Sequence, residues 1–326
     1  YLKNEDALEK RGYIGAKPGW SAKEFEQDEV LSTFTKKTCD WIEENKDTPF
    51  FVYMPLNAPH SPIVPSKKFI GKSGLNDHGD FCMETDWAVG QVMETLDRLN
   101  IADNTIIIFT ADNGTSPKAG FPAMAEKGHH SSWIYRGMKG TNWEGGHRVP
   151  FLVRWPKKVK KEQVSDQLIC TTDLMATCAS VLGITLNENE GEDSISFLPA
   201  LHGETIPEVS ERTIAHHSDG GIFSIRTAKW KLMFDDFGGS NRTDPRKNEP
   251  IKNAASLQLF DMENDATEDV NLASQYPEIV EELKKNLATI IKEGRSNPGK
   301  NQPTDLNTSN LKWPQIKVVE EYLYQK

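Results

Sequence analysis

The chain has 326 residues, with 38 Lys and Arg against 48 Asp and Glu and a formal net charge of -10 at neutral pH. That length gives room for one large or two ordinary domains with a substantial core. The acidic balance excludes the broad basic face of a generic nucleic-acid binder, yet leaves room for a small anion held by a local basic cluster. No stretch approaches the roughly 18 uninterrupted apolar residues of a membrane-spanning helix. The opening "YLKNEDALEK" has neither an initiator Met nor an apolar signal segment, so a mature or truncated form is expected.

Residues 28–44 have helical periodicity, with Val30, Leu31, Phe34, Cys39 and Trp41 on the apolar side. "PFFVYMPL" then reads as a buried strand, closed by Pro55 and the loop "NAPHSPIVP". Over residues 80–99, Phe81, Ala88, Val89, Val92, Leu96 and Leu99 recur at helical spacing, "NIADN" stops them, and "TIIIFTA" supplies the next strand. Strand, helix and strand in this order form a crossover unit, which implies parallel pairing with both sheet faces covered.

"VPFLVRWP" is a third strand and "TTDLMATCASVLG" a further helix. Beyond residue 211 the pattern changes: "IFSIRTAKWKLMF" and "SLQLFDM" read as antiparallel strands. "YPEIVEELKKNLATIIKEG" is an amphipathic helix with Ile279, Leu283, Leu287 and Ile290 or Ile291 on one side. "GGSNRTDPRKNEP" reads as a polar loop and the tail after Gly294 as an irregular strap. The predicted fold class is therefore α/β: a mixed, mostly parallel sheet flanked by helices over residues 1–210, with a smaller C-terminal antiparallel α+β subdomain and tail over residues 211–326. The four cysteines, Cys39, Cys82, Cys170 and Cys178, form no Cys-x-x-Cys pair, which argues against a zinc cluster or a dithiol site. Buried free thiols are the favoured reading, with Cys170 and Cys178 the least implausible disulfide.

Ligands of open α/β sheets bind beyond the carboxyl ends of the strands, and three polar loops fall there. Asp112 and Asn113 follow the strand "TIIIFTA" and offer adjacent hard oxygens suited to calcium or magnesium, if the backbone turns at Gly114. An ordinary Asx turn explains the same tripeptide, and two ligands are too few for such an ion. Between Lys127 and Arg148, "KGHHSSWIYRGMKGTNWEGGHR" holds four Lys or Arg and three His against one acid, Glu144. This local reversal of charge suggests an anion site around Lys139, where neighbouring glycines let the backbone come close to an oxyanion; a solvated basic loop is the alternative. Trp133, Tyr135 and Trp143 read as packing residues before sugar platforms. His60 in "APHSPIVP" is held between prolines just past a strand, which favours a working imidazole over a merely structural one only if other groups converge on it.

Taken together, "PFFVYMPLNAPHSPIVP", "GDFCMETDWAVGQVMETLDRLNIADNTIIIFTADNG", "RGMKGTNWEGGHRVPFLVRWP" and "LFDMENDATEDVNLA" resemble, in order, the type I formylglycine-dependent sulfatases of the alkaline phosphatase superfamily. The resemblance implies an alkaline phosphatase-like fold and hydrolysis of a sulfate ester, with a metal ion, usually calcium, beside a hydrated formylglycine. It further implies that Asp112 and Asn113 are metal ligands, that Lys139 contacts a sulfate oxygen and the leaving-group side, and that His60 binds or protonates there. These roles are physically coherent, since a cation, an ammonium and an imidazolium can stabilise developing oxygen charge without rearranging.

One departure is substantial. None of the four cysteines begins a Cys-x-Pro-x-Arg motif, and the early Asp-Asp pair and the Gly-Lys-Trp-His-Leu-Gly type segment are also missing. All three belong to the N-terminal portion of the family, so a C-terminal portion of a longer sulfatase is expected, with formylglycine supplied by the absent part and this piece inactive alone. The pattern looks most like bacterial carbohydrate sulfatases, with the galactose or N-acetylgalactosamine 6-sulfatase branch as the nearest substrate guess. His217 and Arg136 are candidates for contacting the sugar. The expected partner is a sulfated sugar or other sulfate ester, with no nucleic acid and no membrane span, in a secreted or periplasmic protein. A phosphodiesterase or phosphonate hydrolase of the same superfamily and a non-catalytic glycan binder remain the alternative readings. Asn241 and Asn307 begin Asn-x-Ser/Thr triplets, which are too frequent to establish export.

Overall fold

The computed structural model describes residues 2–4, 19–207, 212–235, 239, 243–251, 255–303 and 314–323. The expected domain boundary at residues 210 and 211, and the triplets at Asn241 and Asn307, lie outside them. The chain forms two compact units: Tyr1–Phe109, Thr115–Ser131 and Phe151–Lys157 make the first, and Thr110–Gly114, Ser132–Pro150 and Lys158–Lys326 the second.

In the first unit the two expected helices form as α1, Val30–Asn45, and α2, Asp77–Arg98. The start of α2 is set by Asn76, whose side chain accepts from the Gly79 N–H at 3.0 Å, with Asp77 and Asp80 in the first turn and Arg98 in the last, as the helix dipole favours. Leu31, Phe81 and Ala88 pack with Ala58 and Ile63, while Ile42, Leu96 and Ala102 gather Phe50, Val52 and Val92. Strands β1, Ile107–Thr110, and β2, Phe151–Arg154, pair with each other. The strand expected from "PFFVYMPL" does not appear. Residues 51–57 have no ladder partner among the described residues, and the side chains alternate: Phe50 and Val52 reach the helices, whereas Phe51 and Tyr53 are 79% and 80% exposed. The period-2 pattern is there, but no strand among the described residues lies alongside to close its hydrogen bonds.

In the second unit, helix α3, Leu174–Leu182, follows a short turn in which Asp173 accepts from the Cys170 N–H at 2.7 Å and pairs with the buried Arg212 guanidinium. A four-stranded antiparallel sheet then runs in the order β6, β5, β4, β3, with β3 Ile214–His217, β4 Phe223–Arg226, β5 Trp230–Met233 and β6 Gln258–Asp261. Strand β3 was not legible in the sequence, because "IAHH" lacks the apolar run of its neighbours and sits at the sheet edge. Helix α4, Pro277–Glu293, covers the sheet with Val280, Leu283, Leu287 and Ala288 against Ile225, Leu232 and Leu259. The tail is not merely an irregular strap: residues 314–323 are helical, and Val319 and Leu323 enter that same core. All four cysteines are free; none is fully buried and Cys82 is exposed, so the buried-thiol expectation is corrected on exposure.

Candidate active site around Lys139

The second unit contains five of the six expected site residues. Asp112 and Asn113 leave the end of β1 in a turn that runs directly onto the backbone of a helical turn, Glu144–His147. The Gly114 N–H donates to the Gly146 carbonyl at 3.0 Å, and a Cβ at Gly114 would lie 1.7 Å from the Gly145 oxygen. The backbone turns at Gly114 as expected, and glycine is required here for close backbone approach as well. The Asn113 amide nitrogen donates to the Gly114 carbonyl at 2.9 Å. Asp112 is exposed, and its carboxylate has no hydrogen bond or ion pair among the described residues.

Lys139 sits in the turn before that helical piece. The Thr141 N–H and hydroxyl both bond the Met138 carbonyl, at 3.0 and 2.7 Å, and the Gly145 N–H donates to the Arg136 carbonyl at 2.7 Å. Gly140 has φ +89, a conformation that favours glycine. Its carbonyl accepts from the Asp219 N–H at 3.1 Å, so the turn between β3 and β4 is seated on the Lys139 turn. Asn142 strengthens the seat by donating to the Ile222 carbonyl at 2.9 Å. His217 stands at the end of β3, with Nδ1 2.7 Å from the Ser218 carbonyl. These bonds bring Asp112, Asn113, Lys139 and His217 onto one connected stretch of backbone. The Lys139 ammonium, half-buried, has no carboxylate partner among the described residues.

Behind this surface lies a closed set of charges that the sequence did not reveal. Lys231, 0% exposed, is 3.2 Å from Glu144 Oε1 and 2.7 Å from Glu268 Oε1, and Arg226 also pairs with Glu144. Glu268 Oε2 accepts from the Glu144 N–H at 2.6 Å. Burial alone would raise the Glu144 carboxyl, yet Lys231 and Arg226 hold it well below the usual carboxylate range. Burial pushes Glu268 up to about 7; Lys231 pulls against it and the Glu144 charge adds to it. A buried cation between two carboxylates is costly unless fully paired, and here every member also fixes the helical turn next to Lys139. Its one sequence signal was "WKL", a lysine at an inward position of an apolar strand.

Arg136 belongs to the same inner layer: its guanidinium lies 4.4 Å over the fully buried Trp143 ring and donates to the Glu268 carbonyl at 2.8 Å. His147 and His216 stack edge to face at 4.3 Å. His147 keeps an exposed face, but desolvation on its inner side, and then the Lys231 charge, lower its ring below the ordinary histidine range; burial and then His147 depress His216 as well. Both rings are therefore neutral near pH 7.

His60 belongs to the first unit. Its Nδ1 is 2.6 Å from the Ser61 carbonyl, which can only accept, so Nδ1 carries the proton and Nε2 is the outward edge of the exposed ring. Among the described residues no group of three or more His, Cys, Asp or Glu converges as a metal site. Asp112 and Asn113 have the right donor chemistry for a hard cation but supply two of the six to eight oxygens that calcium takes.

The sulfatase family model matches residues 7–184. The chain is 34% identical over 280 residues to the N-acetylgalactosamine-6-O-sulfatase of Bacteroides thetaiotaomicron, covering 85% of this chain and 54% of that protein. It is 36% identical over 173 residues to human N-acetylgalactosamine-6-sulfatase, covering 53% and 32%. A solved Bacteroides thetaiotaomicron sulfatase from a glycosaminoglycan-metabolism locus superposes with a TM-score of 0.72 at 33% identity, over 82% of this chain and 55% of the other. A Pseudoalteromonas sulfatase gives 0.67 at 24% identity, over 87% and 58%, which extends the likeness in fold. The shared architecture is the alkaline phosphatase-like mixed α/β fold. The chain spans about half the length, or less, of the curated relatives it matches.

Proposed function

This chain belongs to the sulfatase family, and from that premise we propose that the protein hydrolyses sulfate esters on a carbohydrate and releases inorganic sulfate. The observation that carries this reading is the Lys139 ammonium, left without a carboxylate partner among the described residues, on a turn bonded through shared backbone to the Asp112–Asn113 exit. A solvated basic loop does not need its backbone fixed by the buried Glu144, Lys231 and Glu268 set. An anion site does, because donors held before the reaction stabilise developing charge without reorganising.

The family in general implies a metal ion and a formylglycine. Asp112 and Asn113 are the residues that would hold the cation, calcium or magnesium, with the other ligands coming from outside this set. When bound, the cation would polarise the sulfate oxygens and the formylglycine hydrate would supply the attacking hydroxyl. The chain's own residues do the rest. Lys139 sits against a sulfate oxygen and the bridging oxygen, where its charge stabilises the transition state. His60, with Nδ1 occupied by the Ser61 carbonyl, presents Nε2 to the departing alcohol and gives it a proton in its protonated form. His217, carried on the turn seated against Gly140, contacts the sugar. For Arg136, stacking on Trp143 supports holding the loop over touching the sugar directly.

The substrate class follows the names of two of the relatives, a 6-O-sulfated N-acetylgalactosamine unit, with 6-O-sulfated galactose the alternative the sequence resemblance offered. Export to a periplasmic or extracellular site would suit such a substrate. Nothing in the comparisons favours phosphoryl transfer or a non-catalytic binder. The test is sulfate release from 6-O-sulfated N-acetylgalactosamine by the protein expressed at the full length of its gene, with and without Lys139→Ala. Turnover falls by about a hundredfold to a thousandfold in the variant, the loss typical of removing one preorganised stabilising group. Equal turnover by variant and wild type would refute the role of Lys139, and a wild type inactive on every sulfated sugar would refute the reaction.

A further inference from the structure

The second unit carries an aromatic pair that neither the core nor the reaction uses. Trp133 is 65% exposed, while its neighbour Trp143 is fully buried, so the two tryptophans of the basic loop have separate employments. The Trp133 ring meets Tyr135 edge to face at 5.6 Å, and the Arg148 guanidinium lies 4.9 Å over Tyr135. Trp133 also adopts φ +50, a left-handed conformation in which a bulky residue is an outlier. The surroundings hold it there: the Tyr135 N–H donates to the Ser132 carbonyl at 2.9 Å, and Arg246 reaches the Ile134 carbonyl while paired with Asp244 and Asp269. A tryptophan fixed in an unfavourable backbone conformation and still exposed gains little for the fold by it.

We propose that Trp133, braced by Tyr135 and Arg148, is a stacking platform for a sugar ring adjacent to the sulfated one, so that the protein prefers a sulfated oligosaccharide to the isolated sugar. The proposal rests on the sulfatase reading above. Charge selects this occupant over an apolar partner. Residues 132–150 present Lys139 and the exposed Arg148, with Arg136 turned to the inner layer, and their one acid, Glu144, is buried and neutralised by Lys231 and Arg226, with Arg148 beside it at 3.5 Å. The loop therefore shows a polyanion its cations and an aromatic face together, which suits a sulfated glycan, whose rings have apolar faces between charged groups. Five residues separate Trp133 from Lys139, and the Ser132 hydroxyl donates to the Gly137 carbonyl between them at 3.4 Å, keeping the two within reach of a short oligosaccharide.

The experiment uses the protein expressed at the full length of its gene, with Trp133→Ala and Trp133→Phe. Kinetics are compared on 6-O-sulfated N-acetylgalactosamine and on a tetrasaccharide containing that unit. In Trp133→Ala the ratio of kcat/KM on the tetrasaccharide to that on the monosaccharide falls about tenfold, the scale of one aromatic anchor, and Trp133→Phe restores most of it. An unchanged ratio, or an equal loss on both substrates with a lowered Tm, would make Trp133 a packing residue and overturn the proposal. If the wild type turns over neither substrate, the reaction fails separately. The platform is then read by tetrasaccharide quenching of tryptophan fluorescence: weaker binding to Trp133→Ala supports it, and equal binding overturns it.

Discussion

Two lysines of the second unit sit in opposite circumstances. Lys231 is sealed in the interior between Glu144 and Glu268, whereas Lys139 reaches the surface with no carboxylate partner among the described residues. One is a completed interaction and the other an incomplete one. The same helical turn, Glu144–His147, connects them: the inner charges fix it, and it fixes the backbone on which Lys139 stands. The difference teaches that the cost of burying Lys231 supports the geometry of a surface cation, the one for which the proposed reaction supplies a sulfate as partner.

The contrast is broken most severely from within. Lys231→Met leaves Glu268 in the interior without its cation and takes one of its partners from Glu144, and should lower unfolding free energy by about 3–5 kcal/mol; denaturant unfolding checks it, and a loss under about 1 kcal/mol would mean the inner set is not what holds the turn. Gly114→Ala comes next. The added methyl meets the Gly145 oxygen, which is backbone and cannot rotate away, so a loss of roughly 1–3 kcal/mol is expected.

Glu268→Gln has a smaller and pH-dependent effect. The folded pKa of Glu268, about 7, lies above the ordinary carboxylate value of 4.5. Between those values the folded state keeps a proton that the unfolded state has lost, so this group makes stability fall as pH rises through the window. The slope is on the order of 1 kcal/mol per pH unit. Glu268→Gln should flatten that decline in Tm, and an unaltered pH profile would remove Glu268 as its source. Smallest of all, Lys139→Met should leave stability within about 0.5 kcal/mol of wild type, since no carboxylate partner among the described residues is lost. A large drop in Tm would show that Lys139 has a structural role after all.

Much of this arrangement was readable from the residues. Periodicity located α1, α2 and α4, because long amphipathic patterns determine which face is buried. The Asp112, Asn113 and Lys139 segments stood out by local charge and by their positions at strand ends. What escaped depended on partners distant in sequence. The run "PFFVYMPL" has the side-chain alternation of a strand but no strand beside it among the described residues, and residue patterning cannot report whether a neighbour is there. Strand β3 is recruited by β4 at a sheet edge despite its two histidines. The Lys231 set joins residues 87 and 37 positions apart along the chain, so nothing local announces it. Gly114 was noticed as a turn residue, which it is, but the second demand on it, the Gly145 backbone that excludes a side chain, comes from a segment distant in sequence.

The most direct measurement is a crystal structure of the protein, expressed at the full length of its gene, with sulfate and calcium bound. The expected result places a sulfate oxygen within hydrogen-bond distance of Lys139 Nζ, the ion on the Asp112 and Asn113 oxygens, and His60 Nε2 facing the same anion. Sulfate bound elsewhere, with Lys139 and His60 directed into separate stretches of solvent, would contradict it.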